Sequence, residues 1–512
     1  MASVKNVLFI MVDQMRADCL GVAGHPTLET PTLDWLASKG TRFPKTYVQS
    51  AVCGPARMSF YTGRYVHSHR SYWNGVPLPF DERTLADHVR EAGVRAALCG
   101  KVHHEPDAAF LARLEAHGFR SEGAGATDAG FEPWERNDFW GAGWMSYLKE
   151  RGYDLPFEKP MMAAFLVEDA DGTRHNGWRF ENTRLPTVIR EEDSDTAVMT
   201  RRAMEFIADA GDDRWLLHLS YVKPHWPNVA PAPYHALYDP ADVPPPVRDA
   251  RELRQAHPIL APFRDERRSL PFDEERTWRE MRATYYGLIR QIDDHLGRLF
   301  DFLRERGRLD DTLVIFVSDH GEYMGDHWLF EKELFYEAAI NVPLIVYDPR
   351  PDAARGAVST EFVESIDLLP TVLEALGIAV PAAVQGRSLL PLLRGERPAG
   401  WRDAVFADWD FRFYRTSKVL NLPPHLCRAW MVRDDSFKYV RFNGLPDMLF
   451  DLQEDPNELR DLAADPAHRG TAADYRERLL DWRQATEDDS RGAQLMERTG
   501  RAGVAWIPEE IP

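Results

Sequence analysis

Cysteine is scarce in this chain. Four thiols in 512 residues, Cys19, Cys53, Cys99 and Cys427, are scattered and give no disulfide framework, a usage that suits a reducing compartment. Long apolar runs are missing as well. The N-terminus offers the short stretch Val7–Val12, interrupted at Asp13, which is neither a secretory leader nor a membrane span. The expectation is a cytoplasmic protein without membrane contact. Basic charge is also in deficit: 62 Lys and Arg against 81 Asp and Glu give a formal net charge of −19. No basic run offsets that balance, which argues against a general nucleic-acid or membrane-surface binder. An anionic ligand would have to be drawn in by a local cationic pocket. No internal repeat is visible. What remains is an ordinary globular composition, 44% hydrophobic with a mean hydropathy of −0.43, and a length that suggests about two domains.

Short β-branched runs alternate with helical patterns through the first 390 or so residues. Val7–Val12, Val94–Leu98, Trp215–Leu219, Leu313–Val317 and Pro343–Tyr347 read as buried strands, and Thr84–Ala92, Asp195–Asp209, Met281–Arg306 and Ser365–Leu376 as helices. This alternation predicts an α/β domain around a largely parallel sheet. From Trp401 the texture changes. Ala404–Asp408, Arg428–Val432, Lys438–Phe442 and Met448–Leu452 read as antiparallel strands, followed by a helix at 472–485. The expected division is a catalytic α/β domain over 1–398, a smaller α+β subdomain with an antiparallel sheet over 399–490, and a tail over 491–512. That tail carries Leu495, Met496, Val504, Trp506 and Ile507, which suggests contact with another copy in a homo-oligomer, dimer or tetramer. Residues 120–190 and 226–275 read as irregular, the usual texture of pocket walls.

Ligands of open α/β sheets bind beyond the carboxyl ends of the strands. Val7–Val12 ends in Asp13-Gln14, and Leu313–Val317 in Ser318-Asp319-His320. Two carboxylates, an amide oxygen and an imidazole make a plausible divalent-cation site, with oxygen favouring Ca²⁺ and His320 making Mn²⁺ credible. Further strand ends deliver Lys101 and His103, then His225, and the stretch past Asp319 delivers Lys332, cations and imidazoles that could clamp an oxyanion. Any one of these alone would read as a surface charge or a satisfied core residue.

The most informative segment is Cys53-Gly54-Pro55-Ala56-Arg57, continued by Met58–Arg64. Pro55 suits the first turn of a helix, which puts Cys53 at a helix N-terminus where free N–H groups favour negative charge. Taken alone, Cys53 would read as a buried core thiol. The whole motif resembles the signature of the formylglycine sulfatases of the alkaline phosphatase superfamily. Val7–Gln14, Gly100–His103, Pro224-His225, Ser318–His327 and Leu449–Leu452 with Asp455-Pro456 follow in that family's order.

The resemblance implies an alkaline-phosphatase-like fold and a maturation enzyme that oxidises Cys53 to formylglycine. One hydroxyl of its hydrated aldehyde would attack the ester, and the other would collapse and expel the inorganic anion. By the same resemblance Asp13, Gln14, Asp319 and His320 bind one metal ion together with the modified Cys53. Arg57 holds the diol and a substrate oxyanion. Lys101, His225 and Lys332 bind substrate oxygens, His103 takes the proton of the collapsing hydroxyl, and Asn74 contacts substrate. Cys427–Asp434 resembles the phosphonate monoester hydrolase branch, whereas Lys101 and His103 stand where that branch carries Tyr and Thr. The expected activity is therefore hydrolysis of aryl or alkyl sulfates, with phosphonate monoesters and phosphodiesters as side substrates. The alternatives are phosphonate or phosphodiester hydrolysis as the main activity, a two-zinc phosphatase using Asp326-His327, and, with Cys53 unmodified, an anion-binding module without catalysis.

Overall fold

A computed structural model of the chain describes residues 4–487 except 108–111, 114, 115, 117–127, 139, 140, 255 and 267. The expected tail, 491–512, lies outside the described residues. No helix among the described residues is long and apolar enough to cross a membrane.

An eight-stranded sheet organises the larger part. Its strands are β1 (Asn6–Asp13), β2 (Thr41–Arg42), β3 (Arg95–Gly100), β4 (Glu132–Arg136), β5 (Trp215–Pro224), β6 (Thr312–Ser318), β7 (Leu344–Tyr347) and β8 (Ala357–Val358). They lie in the order β8-β2-β7-β6-β1-β5-β3-β4. The run from β6 to β4 is parallel throughout. Because strand residues alternate between faces, β1 feeds two cores: Val7, Phe9 and Met11 enter one, and Leu8, Ile10 and Val12 the other. Burial on both faces explains its unbroken apolar run.

Helices cover both faces. On one lie α1 (Cys53–Thr62), α2 (Leu85–Glu91) and α5 (Leu368–Ala375), and on the other α3 (Asp195–Ala210) and the 31-residue α4 (Glu275–Glu305). The segment Leu344–Tyr347 runs antiparallel to β6. The reason is the path between them: residues 319–343 stay at the carboxyl edge of the sheet without a crossover, so the chain can only return in the opposite direction. The stretches read as irregular are partly ordered, with β4, a helix over Ala142–Glu150 and a hairpin of Leu166–Glu168 with Arg174–Asn176. These elements are too short to show a period in the sequence.

A second sheet follows, antiparallel in chain order: β9 (Val405–Asp410), β10 (Arg428–Arg433), β11 (Phe437–Phe442) and β12 (Met448–Asp451). One face joins the core shared with β1 through Val405, Ala407, Met431, Val440 and Phe450. The other packs on α6 (Arg469–Ala485) through Val432, Tyr439, Leu449, Leu479 and Trp482. Lys438, fully buried on β11, fixes this sheet to the larger part. Its Nζ lies 2.8 Å from Glu337 Oε1 and 2.6 Å from Glu458 Oε1, and donates to the Phe335 carbonyl at 2.8 Å. Replacing it by methionine keeps the stem and leaves two carboxylates without their shared cation. Lys438→Met is expected to cost about 3–5 kcal/mol in chemical denaturation; a loss below about 1 kcal/mol would show the two parts to be held by apolar packing alone.

Candidate active site

The parallel registers bring four strand ends to one edge. Asp13 pairs with Pro224, Val12 with Ser318, and Gly100 with Ser220. Helix α1 starts at the same edge with Cys53 as its first residue and Pro55 in its first turn. Gly100 has φ +112, and a Cβ there would stand 1.8 Å from the Ser220 carbonyl oxygen. Only glycine lets β3 leave the sheet this close to β5, and that exit delivers Lys101 and His103. Asp138 then fixes the turn, its Oδ1 accepting from Val102 N at 3.1 Å and His103 N at 3.0 Å.

Asp13, Cys53, Asp319 and His320 converge, with one ligand atom of each within 4.8 Å of the others and all four buried. His320 Nε2 lies 3.0 Å from Cys53 Sγ, while its Nδ1 faces the Gly321 carbonyl at 2.9 Å. That contact places the proton on Nδ1 and leaves the Nε2 lone pair for a cation. Gln14 is carried by a left-handed backbone at φ 70. Its N–H donates to Asp319 Oδ1 at 3.1 Å, its side-chain nitrogen to Glu322, and its Oε1 accepts from Lys332 Nζ at 3.0 Å. Two carboxylates, an imidazole nitrogen and a nearby amide oxygen, gathered dry, fit one divalent cation.

Arg57 is completely buried beneath these carboxylates. It donates from Nε to Asp319 Oδ2 at 2.8 Å and from Nη2 to Asp13 Oδ2 at 3.4 Å, while Nη1 serves the Lys101 carbonyl at 2.9 Å and Ser220 Oγ at 2.8 Å. Its expected place was on the nucleophile and the substrate; its hydrogen bonds run to Asp13 and Asp319, two of the candidate cation ligands. The reason is depth, since one helical turn inward from Cys53 the side chain meets the strand ends before it meets the cleft. Asn74 also differs from expectation: its Oδ1 accepts from Gly54 N at 2.8 Å and so caps the start of α1.

Lys332 and His225 stand at the same place as Cys53. Lys332 Nζ lies 3.2 Å from Sγ and 2.7 Å from His225 Nε2, and His225 Nδ1 faces the Trp226 carbonyl at 2.5 Å. Lys101 Nζ donates to Asp13 Oδ2. His103 Nδ1 is buried and has no hydrogen-bond partner among the described residues. Electrostatics follow from this crowd of cations. Burial alone would push the Cys53 thiol up, yet Lys101, Lys332, His320 and a hydrogen bond from His103 hold it well below the ordinary thiol range. Burial and Cys53 push Asp13 up, and Lys101, His225 and Arg57 outweigh them to leave it well below the usual carboxylate range. His320 is drawn up to about 9, burial being overcome by Asp319 and Cys53. The site is built to hold negative charge at the tip of residue 53.

Two groups, Ser220 and Glu322, are not legible in the sequence, and a third, Asp326, has a part other than the metal-binding one weighed for it. Ser220 orients Arg57, Glu322 orients the Gln14 amide, and Asp326 anchors the loop that carries Lys332. Asp326 bridges Arg16 Nη1 at 2.7 Å and Arg282 Nη2 at 2.6 Å. His327 Nδ1 meets Glu252 at 2.8 Å. Asp326-His327 therefore serves structural ion pairs, and Asp13, Cys53, Asp319 and His320 form the one such cluster among the described residues. A polar Ser220 within an otherwise apolar strand was the available signal for the first of the three; the other two depend on long-range packing. Beside His225 stands an aromatic wall: Trp226 meets Trp178 edge-on at 4.5 Å, and Phe330 stacks on Phe272 at 4.4 Å.

The family model described as Sulfatase matches residues 5–378, and that described as N-sulphoglucosamine sulphohydrolase, C-terminal, matches residues 325–485. The chain is 37% identical to the multifunctional alkaline phosphatase superfamily protein PehA of Trinickia caryophylli, over 94% of this chain and 96% of that protein. It is 29% identical to an arylsulfatase of Clostridium perfringens, over 93% of this chain and 92% of that protein. Among solved structures, the phosphonate monoester hydrolase SpPMH from Silicibacter pomeroyi superposes with a TM-score of 0.85 at 34% identity, covering 94% of this chain and 96% of its own. With the α/β architecture and the convergent strand ends, these matches establish that the chain belongs to the sulfatase family.

Proposed function

We propose that the protein hydrolyses sulfate monoesters through residue 53 after oxidation of Cys53 to formylglycine, and acts on phosphonate monoesters and phosphodiesters as side substrates. The observation that carries this reading is the cationic shell around Cys53, completed by Lys101 and His103. The hydrated aldehyde supplies a hydroxyl whose oxygen bonds to sulfur as the ester S–O bond breaks, and a second hydroxyl whose loss of a proton restores the aldehyde and releases sulfate. Asp13, Gln14, Asp319 and His320 would hold one divalent cation, Ca²⁺ or Mn²⁺, which supplies Lewis acidity at the attacking oxygen. Lys101, Lys332 and His225 bind the substrate's free oxygens. His103, whose ring hydrogen-bonds residue 53 through the nitrogen other than Nδ1, is the acceptor for the proton of the second hydroxyl. Arg57 bonds both Asp13 and Asp319 and holds them apart.

A second reading, phosphonate monoester or phosphodiester hydrolysis as the main activity, is favoured by the similarity to SpPMH over almost the whole chain. Sulfate monoesters and these phosphorus esters share a single negative charge, so one cationic shell serves both.

Cys53→Ala is expected to lose nearly all turnover while keeping fold and metal content, and the intact mass of the matured protein should fall by about 18 Da relative to the encoded chain. Activity of that variant within tenfold of wild type would sink the mechanism. Asp319→Ala removes one carboxylate from the cluster and should reduce both metal occupancy, read by elemental analysis, and rate by about tenfold or more; full occupancy would place the ion elsewhere. Lys101→Tyr combined with His103→Thr should depress kcat/KM for an aryl sulfate at least tenfold more than for a phosphonate monoester, a differential of about 1.4 kcal/mol. An equal fall in both activities would remove the ground for ranking sulfate first.

A further inference from the structure

We propose that the C-terminal sheet carries a second anion site, separate from residue 53, built for a small ring compound bearing two or more sulfate or phosphate groups. Helix α6 covers only part of the outer face of this sheet. Beyond it a cleft of about 720 Å³ opens over Trp430, walled by Arg412, Arg428, Arg441, Arg483 and Asn443. That size is within the range of small-molecule sites. None of the residues grouped around Cys53 lines it.

Charge is what sets the cleft apart. Among the described residues no carboxylate lines it. Asp410, behind the wall, pairs with Arg412 at 2.6 Å and lies 3.5 Å from Arg428. One carboxylate serves two guanidiniums there. Arg441 forms no ion pair among the described residues. Arg483 lies with its guanidinium 5.4 Å over the Trp430 ring, and among the described residues its buried Nε and Nη1 have no hydrogen-bond partner. Buried N–H groups left unpaired are costly and rare. Four arginines gathered against one carboxylate repel one another, in a chain whose overall excess is acidic. Oxyanions relieve both penalties, because a guanidinium fork matches sulfate and phosphate oxygens two at a time. Trp430 lines the same cleft, with Arg483 over its ring, and adds an apolar contact for the carbon ring of a ligand, which favours a cyclic polyanion over a bare inorganic ion.

A short segment connects the cleft with the reaction centre. The Arg428 guanidinium sits 4.8 Å from the Tyr72 ring centroid, and two residues on, Asn74 caps the helix that carries Cys53. The two sites are therefore distinct in their residues and neighbours in the fold.

Isothermal titration of the full chain tests this with two probes, fructose 1,6-bisphosphate and a disulfated glucosamine-containing disaccharide, and with inorganic sulfate as the comparison. At least one probe should bind with Kd below about 1 mM. Arg441→Ser with Arg483→Ser, which touches nothing around Cys53, should weaken that binding tenfold or more, and Arg441→Lys with Arg483→Lys should weaken it less. The better probe identifies phosphate or sulfate as the preferred group. Absence of binding by both probes, unchanged binding in the serine pair, or inorganic sulfate binding as tightly as the better probe would each overturn the proposal. Should the serine pair fail to fold, Arg441→Gln alone is read in the same way, since Arg441 makes no ion pair to lose.

Discussion

The site depends on one buried guanidinium. Asp13 and Asp319 come from the ends of neighbouring parallel strands, whose register forces them together. Two carboxylates about 4 Å apart repel by about 4 kcal/mol even at an effective dielectric of 20, and both are completely buried. Arg57 lies between them, bonded to each, and its other donors are fixed by a backbone carbonyl and Ser220. A cation on a rigid fork lets the fold keep two carboxyl groups dry and separated. Because Arg57 sits on the helix that begins with Cys53, the same interaction sets the distance from Cys53 to Asp13 and Asp319.

Around that pair, the chain accepts local strain in order to place side chains. Met324, His327, Trp328, Glu331, Glu333 and Leu334 all have left-handed backbones between φ 48 and φ 71. Each such non-glycine residue costs of order 1 kcal/mol, so the loop persists only because its surroundings over-determine it. The Asp326 bridge to Arg16 and Arg282 pins one end, and Arg268 pins Glu331 at the other. Between these anchors Lys332 is presented to Cys53, Gln14 and His225 with little freedom to swing away. A lysine of this kind is a pre-organised charge, in contrast to a surface lysine whose long stem must be ordered when a ligand arrives.

Much of this was legible before any coordinates. The unbroken apolar run Val7–Val12 ends in an acid because a strand buried on both faces can change character only where it leaves the sheet, and Leu313–Val317 repeats that pattern before Asp319. Cys53 and Pro55 predicted a helix start, and the structure has one there. The direction of Leu344–Tyr347 was not legible, since strand polarity depends on the path of the preceding loop and leaves no mark in composition. Nor was the position of Arg57. Its spacing from Cys53 says that it lies one turn along a helix, but not whether the helix points it into the cleft or under the neighbouring strands. Glu322 was hidden for a related reason: a glutamate after a strand is ordinarily solvated, and its burial against Gln14 arises only from the return of the chain across the site.

The residues on which the proposed preference for sulfate rests are ones that the sheet does not need. Arg57, Asp13 and Asp319 are locked to the strand ends, whereas Lys101 and His103 lie just past β3, on a turn held by Asp138 and opened by Gly100. Side chains there can change without disturbing the sheet, and so could change the preferred anion while leaving the architecture intact. Lys101 also offsets Asp13, so a neutral residue in its place would shift the burden of holding Asp13 ionised onto Arg57 and His225. Loss of Lys101 would then also weaken the hold on the charge of Asp13. The His103 ring hydrogen-bonds Cys53, and its Nδ1 has no hydrogen-bond partner among the described residues. Of the two positions, His103 is therefore the one whose substitution leaves the electrostatics around Asp13 less disturbed.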